Sequence, residues 1–267
     1  MKILEETGLT EKQLRMILNG RKPKIKILKQ QITEDELHFG VVSDTHLCST
    51  HEKLNELHTI YAIFQKVGIK TVFHSGDVLS GWKVYKGQEN EVKVFGADNQ
   101  VGYVIDNYPK IKGITTYFIT GNHDLSWLAL AGVDVGERIA AARPDMKYLG
   151  QYQGDFILNG VKIRLFHGEG GGSYALSYKS QKVAEQIASG EKPQVLLCGH
   201  WHTSLYFFYR NIHILHCGAF EGQSLYLIRK GLNPSIGGWA IKMRASKNKS
   251  LIAFNPGWIP FFGKKGG

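Results

Sequence analysis

Five apolar runs in this chain end in the same kind of residue, and that recurrence limits the fold more than any other feature. "HFGVVSD" closes on Asp44, "TVFHSGD" on Asp77 and "TTYFITGNHD" on Asn122, His123 and Asp124. "VKIRLFHG" carries His167, and "QVLLCGHWH" ends on His200 and His202. Short, nearly continuous apolar runs read as strands buried on both faces. Helical patterns separate several of them. Leu54, Leu57, Tyr61 and Phe64 recur at helical spacing behind a Ser49–Glu52 capping box, with Gly68 as the stop. Val101, Val104, Ile105 and Tyr108 mark a second helix before Pro109. "YALSYKSQKVAEQIAS" marks a third, with Leu176, Val183 and Ile187 inward. Strand alternating with helix predicts an α/β layered fold. Ligands in such folds bind beyond the carboxyl ends of the strands, where all five polar clusters fall.

The strand ends together supply carboxylate, amide and imidazole groups. In an extended segment residues i and i+2 point the same way, so Asp44 with His46, and His200 with His202, can each grip one ion. Mixed oxygen and nitrogen donors suit Mn, Fe or Zn better than thiolate-bound metals. Asp44, His46, Asp77, Asn122, His167, His200 and His202 exceed what one tetrahedral ion needs, and two ions sharing Asp77 would use them all. Paired ions about 3.5–4 Å apart activate a water between them and stabilise in-line displacement at phosphorus.

The ordered blocks Asp44-Thr45-His46, Gly76-Asp77, Gly121-Asn122-His123-Asp124, His167 and Gly199-His200-Trp201-His202 resemble the calcineurin-like metallophosphoesterase superfamily over roughly residues 38 to 220. The resemblance implies a four-layer αββα sandwich and two divalent ions, with Mn favoured and Fe, Zn or Ni as alternatives. It implies that Asp44, His46 and His202 hold the first ion, Asn122, His167 and His200 the second, and Asp77 both. It also implies that His123 contacts the phosphate and protonates the leaving oxygen, with Asp124 orienting it. Gly121 is read as the residue that lets the chain turn sharply after its strand. The motifs place the reaction at a phosphoester and leave monoester and diester both open.

The rest of the chain bears on substrate and partners. Residues 1–24 read as a helical hairpin, with a Thr10–Gln13 capping box and a Leu14, Ile17 and Leu18 stripe. Flanked by Arg15, Arg21, Lys22 and Lys24, the hairpin weakly resembles a helix-turn-helix, with simple packing as the alternative. Residues 25–37 read as a linker or edge segment, 38–262 as the phosphoesterase domain, and 263–267 as a disordered tail. Lys+Arg 33 against Asp+Glu 23 gives +10, which suits a nucleic-acid partner or a merely basic soluble surface.

Gly171 and Gly172 lie ahead of the third helix, where backbone amides either receive a phosphate oxygen or simply form a flexible loop and helix start, and Lys179 either neutralises phosphate or is solvated. His216, on "NIHILHCGAF", is a candidate for the pocket lining. Trp82 and Tyr85 either stack a base or pack their own insertion. Three scattered cysteines argue against a disulfide framework and for a cytoplasmic setting. No apolar run approaches membrane-spanning length. The apolar "NPGWIPFF" is expected to dock on the domain or on a second subunit of a homo-oligomer. The combined expectation is a phosphodiesterase or nuclease acting on nucleic acid or nucleotides. A phosphomonoesterase, and a DNA-binding module with a scaffolding phosphoesterase domain, are the alternatives.

Overall fold

A computed structural model describes residues 27–31, 36–246 and 250–262. The five motif-bearing runs become β2 (Glu36–Val42), β3 (Thr71–His74), β4 (Thr115–Thr120), β7 (Val161–His167) and β8 (Val195–Gly199). β2, β3 and β4 pair in parallel, and so do β7 and β8. The first three lie in one six-stranded sheet, completed by β5 (Met146–Gln151), β11 (Gly237–Ala245) and β12 (Leu251–Pro260) in the order β12-β11-β2-β3-β4-β5. The other two lie in a second sheet with β1 (Ile27–Gln30), β6 (Gln153–Leu158), β9 (Ser204–Tyr209) and β10 (Ile212–Cys217), ordered β1-β6-β7-β8-β10-β9.

Three apolar layers join these sheets to each other and to the helices. Phe39, Phe73, Ile119, Phe156, Ile163 and Leu165 fill the space between the sheets. α1 (Leu54–Lys66), α2 (Ala97–Asn107), α3 (Asn122–Ala131) and α4 (Val135–Ala142) cover the outer face of the first sheet, with Leu57, Ile60 and Phe64 packed near Val72 and Phe118. α5 (Tyr178–Gln186) covers the second sheet, placing Ala184 with Leu196 and Ile214. A short α6 (Leu225–Arg229) follows β10. The result is the αββα sandwich. Both faces of each motif-bearing strand are covered, which is why those runs lack alternation.

Several local expectations change. Ser49 and Glu52 do not cap α1. The Ser49 hydroxyl accepts from the His51 amide at 3.1 Å and the Glu52 carboxylate from the Cys48 amide at 2.7 Å, so both organise the loop before the helix. The third helix begins only at Tyr178, leaving Leu176 outside it and exposed. "NPGWIPFF" is largely β12, antiparallel to β11, with Trp258 against Trp239 at 5.0 Å between ring centroids. Pro256 and Pro260 are compatible with that position because one side of an edge strand needs no ladder donors. Cys48, Cys198 and Cys217 are free, buried thiols. Among the described residues no helix is long and apolar enough to cross a membrane. The helical hairpin read over residues 1–24 and the tail 263–267 lie outside the described residues.

Candidate metal centre

The polar strand ends meet at one edge of the sandwich, in two adjoining groups that share Asp77. In the first, His46 Nε2 and His202 Nε2 stand 3.1 Å apart. Asp44 Oδ1 lies 3.3 Å from His202 Nε2, and Asp77 Oδ2 lies 3.7 Å from His46 Nε2. In the second, His167 Nε2 is 3.1 Å from both Asp77 Oδ2 and Asn122 Oδ1. His200 Nδ1 is 3.0 Å from that same amide oxygen. Donor atoms of Asp44, His46 and His202, of His46, Asp77 and His123, and of Asp77, His167 and His200 fall within 4.8 Å of one another in each set.

These side chains reach the centre by a backbone route that the strand argument does not supply. Asp44, His46, Asp77, His200 and His202 all have positive φ, at 49°, 40°, 55°, 84° and 51°. They lie in left-handed turns just past their strands, so side-by-side placement on an extended segment is not what pairs Asp44 with His46. Such conformations cost on the order of 1–3 kcal/mol each and persist where the surroundings enforce them, as at functional sites. Here the tethers are visible. The Asp44 amide donates to the Gly76 carbonyl at 3.0 Å and the His46 amide to the Asp77 carbonyl at 3.1 Å. The His200 amide donates to the Asp44 carboxylate at 3.0 Å. Gly121, by contrast, has ordinary extended backbone (φ −105°). Its role is room: a Cβ there would meet Asp77 Oδ1 at 2.3 Å and the His167 ring at 2.6 Å.

Outer hydrogen bonds decide which ring nitrogens face inward. His167 Nδ1 donates to the Ser75 carbonyl at 2.8 Å, leaving Nε2 toward Asp77 and Asn122. His200 Nε2 donates to the Gly170 carbonyl at 3.0 Å, leaving Nδ1 inward. Lone pairs of two imidazoles, one amide oxygen and one carboxylate therefore converge, a donor set that fits a divalent cation. The fields agree. Burial tends to raise Asp77, but opposing effects led by the charge of the His167 imidazole outweigh it and hold the carboxyl well below its ordinary range. Asp44 is held low in the same way by His202 against its burial. Burial alone would lower His167, yet Asp77 pulls it up to about 9. A field that draws a proton so strongly also draws a metal cation. Burial pushes His46 well down, and pushes His200 down to about 4, so both are neutral, as ligands must be.

His123 and Asp124 part company. Asp124 does not orient the His123 ring. Its Oδ1 accepts from the Leu79 amide at 3.0 Å, and its Oδ2 from the Val78 and Gly121 amides at 3.1 and 2.9 Å. Sitting in the first turn of α3, it faces back toward the chain that enters the helix and ties the Asp77 loop to it. Burial and neighbouring Asp77 push its carboxyl up to about 7 against those three donations. His123 is oriented instead by the Ser80 carbonyl, which accepts from Nδ1 at 2.7 Å and leaves Nε2 as the open nitrogen. Burial lowers His123 although Asp77 acts in the other direction, so its cation is not favoured as the neighbouring acid suggested.

The cluster forms the floor of a cavity of about 470 Å³. Gly171, Gly172 and Lys179 line it, but no helix begins behind the glycines, and what this run gives the centre is the Gly170 carbonyl. Lys179 Nζ donates to the Glu169 carbonyl at 3.2 Å. His216 is not a lining residue. It is buried behind the wall, where its ring bonds to Ser180 Oγ at 2.8 Å and Thr203 Oγ1 at 2.9 Å. The two aromatics of the insertion divide. Trp82 packs on Phe95, whereas Tyr85 faces the cavity beside Tyr226 at 4.9 Å between centroids. Sequence reasoning missed Ser80, whose contribution is a carbonyl and carries no residue-type signal. It also missed Glu221, a buried carboxylate in "GAFEGQS" whose Oε2 lies 3.8 Å from His46 Nε2.

The chain is similar to the DNA polymerase II small subunit of Methanothermobacter thermautotrophicus, at 21% identity over 202 residues, covering 63% of this chain and 42% of that protein. The Archaeoglobus fulgidus protein of the same name is 23% identical over 217 residues, covering 65% and 42%. The chain thus spans less than half the length of these curated relatives. A solved structure described as a novel archaeal phosphodiesterase aligns with 84% of this chain and 100% of its own, at 14% identity and a TM-score of 0.46. The family model for the calcineurin-like phosphoesterase superfamily domain matches residues 37–228, most of the chain and every strand that carries a motif. The chain belongs to the calcineurin-like phosphoesterase superfamily.

Proposed function

We propose that the protein is a two-ion phosphoesterase that hydrolyses phosphodiesters of nucleic acid or nucleotides, with Mn as the first candidate metal. The observation that carries this reading is the pair of donor groups sharing Asp77 on the floor of one cavity. Asp44, His46 and His202 would hold one ion, Asn122, His167 and His200 the other, and Asp77 both. When bound, such ions supply Lewis-acid neutralisation of the phosphoryl group and an acidified water. The chain supplies the rest. Ser80 fixes the His123 ring, and once protonated its Nε2 can donate to the leaving oxygen. Asp77 Oδ1 accepts from the His123 amide at 2.9 Å, which keeps the proton donor in register with the metal floor. The polynucleotide substrate is supported by the +10 charge and by the name of the curated relatives, DNA polymerase II small subunit. Presence of every ligand position supports catalysis over a purely scaffolding role.

The test is hydrolysis of bis(p-nitrophenyl) phosphate, then of single-stranded and duplex DNA, by Mn-loaded protein. His123→Ala is expected to lower kcat by about 10²–10³-fold, the usual weight of a positioned proton donor, with ion binding retained. Absence of hydrolysis with Mn, Fe, Zn and Ni alike would overturn the reading.

A further inference from the structure

The cavity wall beside His123 carries an aromatic pair that hydrolysis itself does not use. Tyr85 lies in the insertion between β3 and α2, and Tyr226 lies in α6. Their ring centroids are 4.9 Å apart, with 31° between the ring planes. Tyr85 in turn lies 6.2 Å from the His123 ring. All three residues line the cavity. Two tyrosine rings therefore lead outward from the side chain assigned to the leaving oxygen, ending at Tyr226, which is 39% exposed.

Buried Glu91 holds the pair in place. Its Oε2 accepts from the Tyr85 hydroxyl at 2.8 Å, and its Oε1 accepts from the Leu225 amide at 2.6 Å. One carboxylate thus fixes the Tyr85 ring and the start of the helix that carries Tyr226. Packing does not account for the exposed ring. α6 is already docked by buried Leu227, whose amide donates to the Ser224 hydroxyl at 3.3 Å, and by the Leu225 amide on Glu91. The Lys230 ammonium, 6.0 Å from the Tyr226 centroid, stands at the outer limit of a cation–π contact and leaves the ring open. A flat π surface, backed by a second ring and open to the cavity, is what stacking of a nucleobase needs.

We propose that Tyr226, backed by Tyr85, is a specificity-determining residue that stacks the base of the nucleoside on the leaving-oxygen side of a phosphodiester. This rests on the two-ion phosphoesterase reading, with His123 as the proton donor. It makes the favoured substrate a diester whose released unit bears a base. Every base has a π face, so the ring favours a base over none without choosing a sequence.

The experiment measures kcat/KM of Mn-loaded protein on thymidylyl-thymidine and on two analogues, each with a tetrahydrofuran abasic unit in place of one thymidine. Chromatography of the products identifies the unit released with a free hydroxyl, since the other unit keeps the phosphate. In the wild type, removing the base from the released unit is expected to lower kcat/KM by about tenfold, within the usual weight of one base–aromatic stack. Tyr226→Leu, which keeps apolar bulk but not the π face, is expected to lose the same factor on the full dinucleotide. It is expected to lose no more when the released unit lacks its base. Tyr226→Phe is expected to restore the dependence on that base. Equal losses in Tyr226→Leu with and without the base, or a wild type indifferent to it, would overturn the proposal. So would dependence on the base of the other unit, or turnover of bis(p-nitrophenyl) phosphate without turnover of the dinucleotide. Lack of turnover of bis(p-nitrophenyl) phosphate with Mn, Fe, Zn and Ni alike is a different failure, because it removes the underlying two-ion reading and the stacking role with it.

Discussion

Asp77→Asn is expected to lower kcat by at least about 10³-fold while leaving the protein folded. Asp77 is the carboxylate common to both donor groups, with Oδ2 at 3.1 Å from His167 Nε2 and at 3.7 Å from His46 Nε2. Losing its charge is expected to weaken both proposed ion positions at once. Metal-derived stabilisation of a transition state is worth several kcal/mol, and about 4 kcal/mol corresponds to about 10³-fold in rate. The amide substitution is chosen because its remaining oxygen can still accept from the His123 amide, as Asp77 Oδ1 does at 2.9 Å. Steady-state kinetics on bis(p-nitrophenyl) phosphate, with circular dichroism as the control for folding, measures the effect. Activity within tenfold of wild type would show that Asp77 is not shared between two ions.

Asp124→Ala is expected to act on stability first. Its carboxylate receives three backbone amides, those of Val78, Leu79 and Gly121, and each would be left buried without an acceptor. One orphaned donor costs about 1–3 kcal/mol. The three share one loop and relax together, so the total is expected near 3–5 kcal/mol, as for other broken buried charged partnerships. At this chain length that corresponds to a fall in Tm on the order of 10 °C. Asp124→Asn keeps one acceptor oxygen and turns an NH2 toward the remaining donors, so its cost is expected to be smaller. Differential scanning calorimetry gives both values. Since the same bonds hold the Asp77 loop against α3, activity should fall with stability. An unchanged Tm with lost activity would instead return Asp124 to the chemistry.

Much of this was legible in the chain because strand ends carry residue-type signals. Asp44, Asp77, Asn122, His167, His200 and His202 each follow an apolar run, and the parallel pairing of β2 with β3 and β4 brings three of those ends together. What was not legible depends on backbone geometry or on unpatterned positions. Left-handed φ at Asp44 and His46 replaces the extended pairing that i, i+2 spacing suggested. Adjacency in sequence made Asp124 look like the partner of His123, but inside a helix neighbouring residues point about 100° apart, so the two carry their side chains to different places. The partner that orients His123 is a carbonyl, at Ser80, and no side chain announces a carbonyl. Glu221 sits outside any periodic pattern, so only the fold shows that it faces the metal floor. His216 illustrates the reverse error. An apolar run suggested the pocket, but His216 lies on the face of β10 that carries Ile212 and Ile214, and the hydroxyls of Ser180 and Thr203 hold it behind the wall.

If Asp77 joins two ion positions, counting bound ions shows it most directly. Protein stripped of metal, equilibrated with Mn and assayed by equilibrium dialysis with elemental analysis, is expected to bind two ions per chain. Asp77→Asn is expected to retain at most one at the same free Mn concentration. Two ions in the wild type and fewer in the variant is the outcome this structure predicts. A single ion in the wild type, or two ions undiminished in Asp77→Asn, would contradict it.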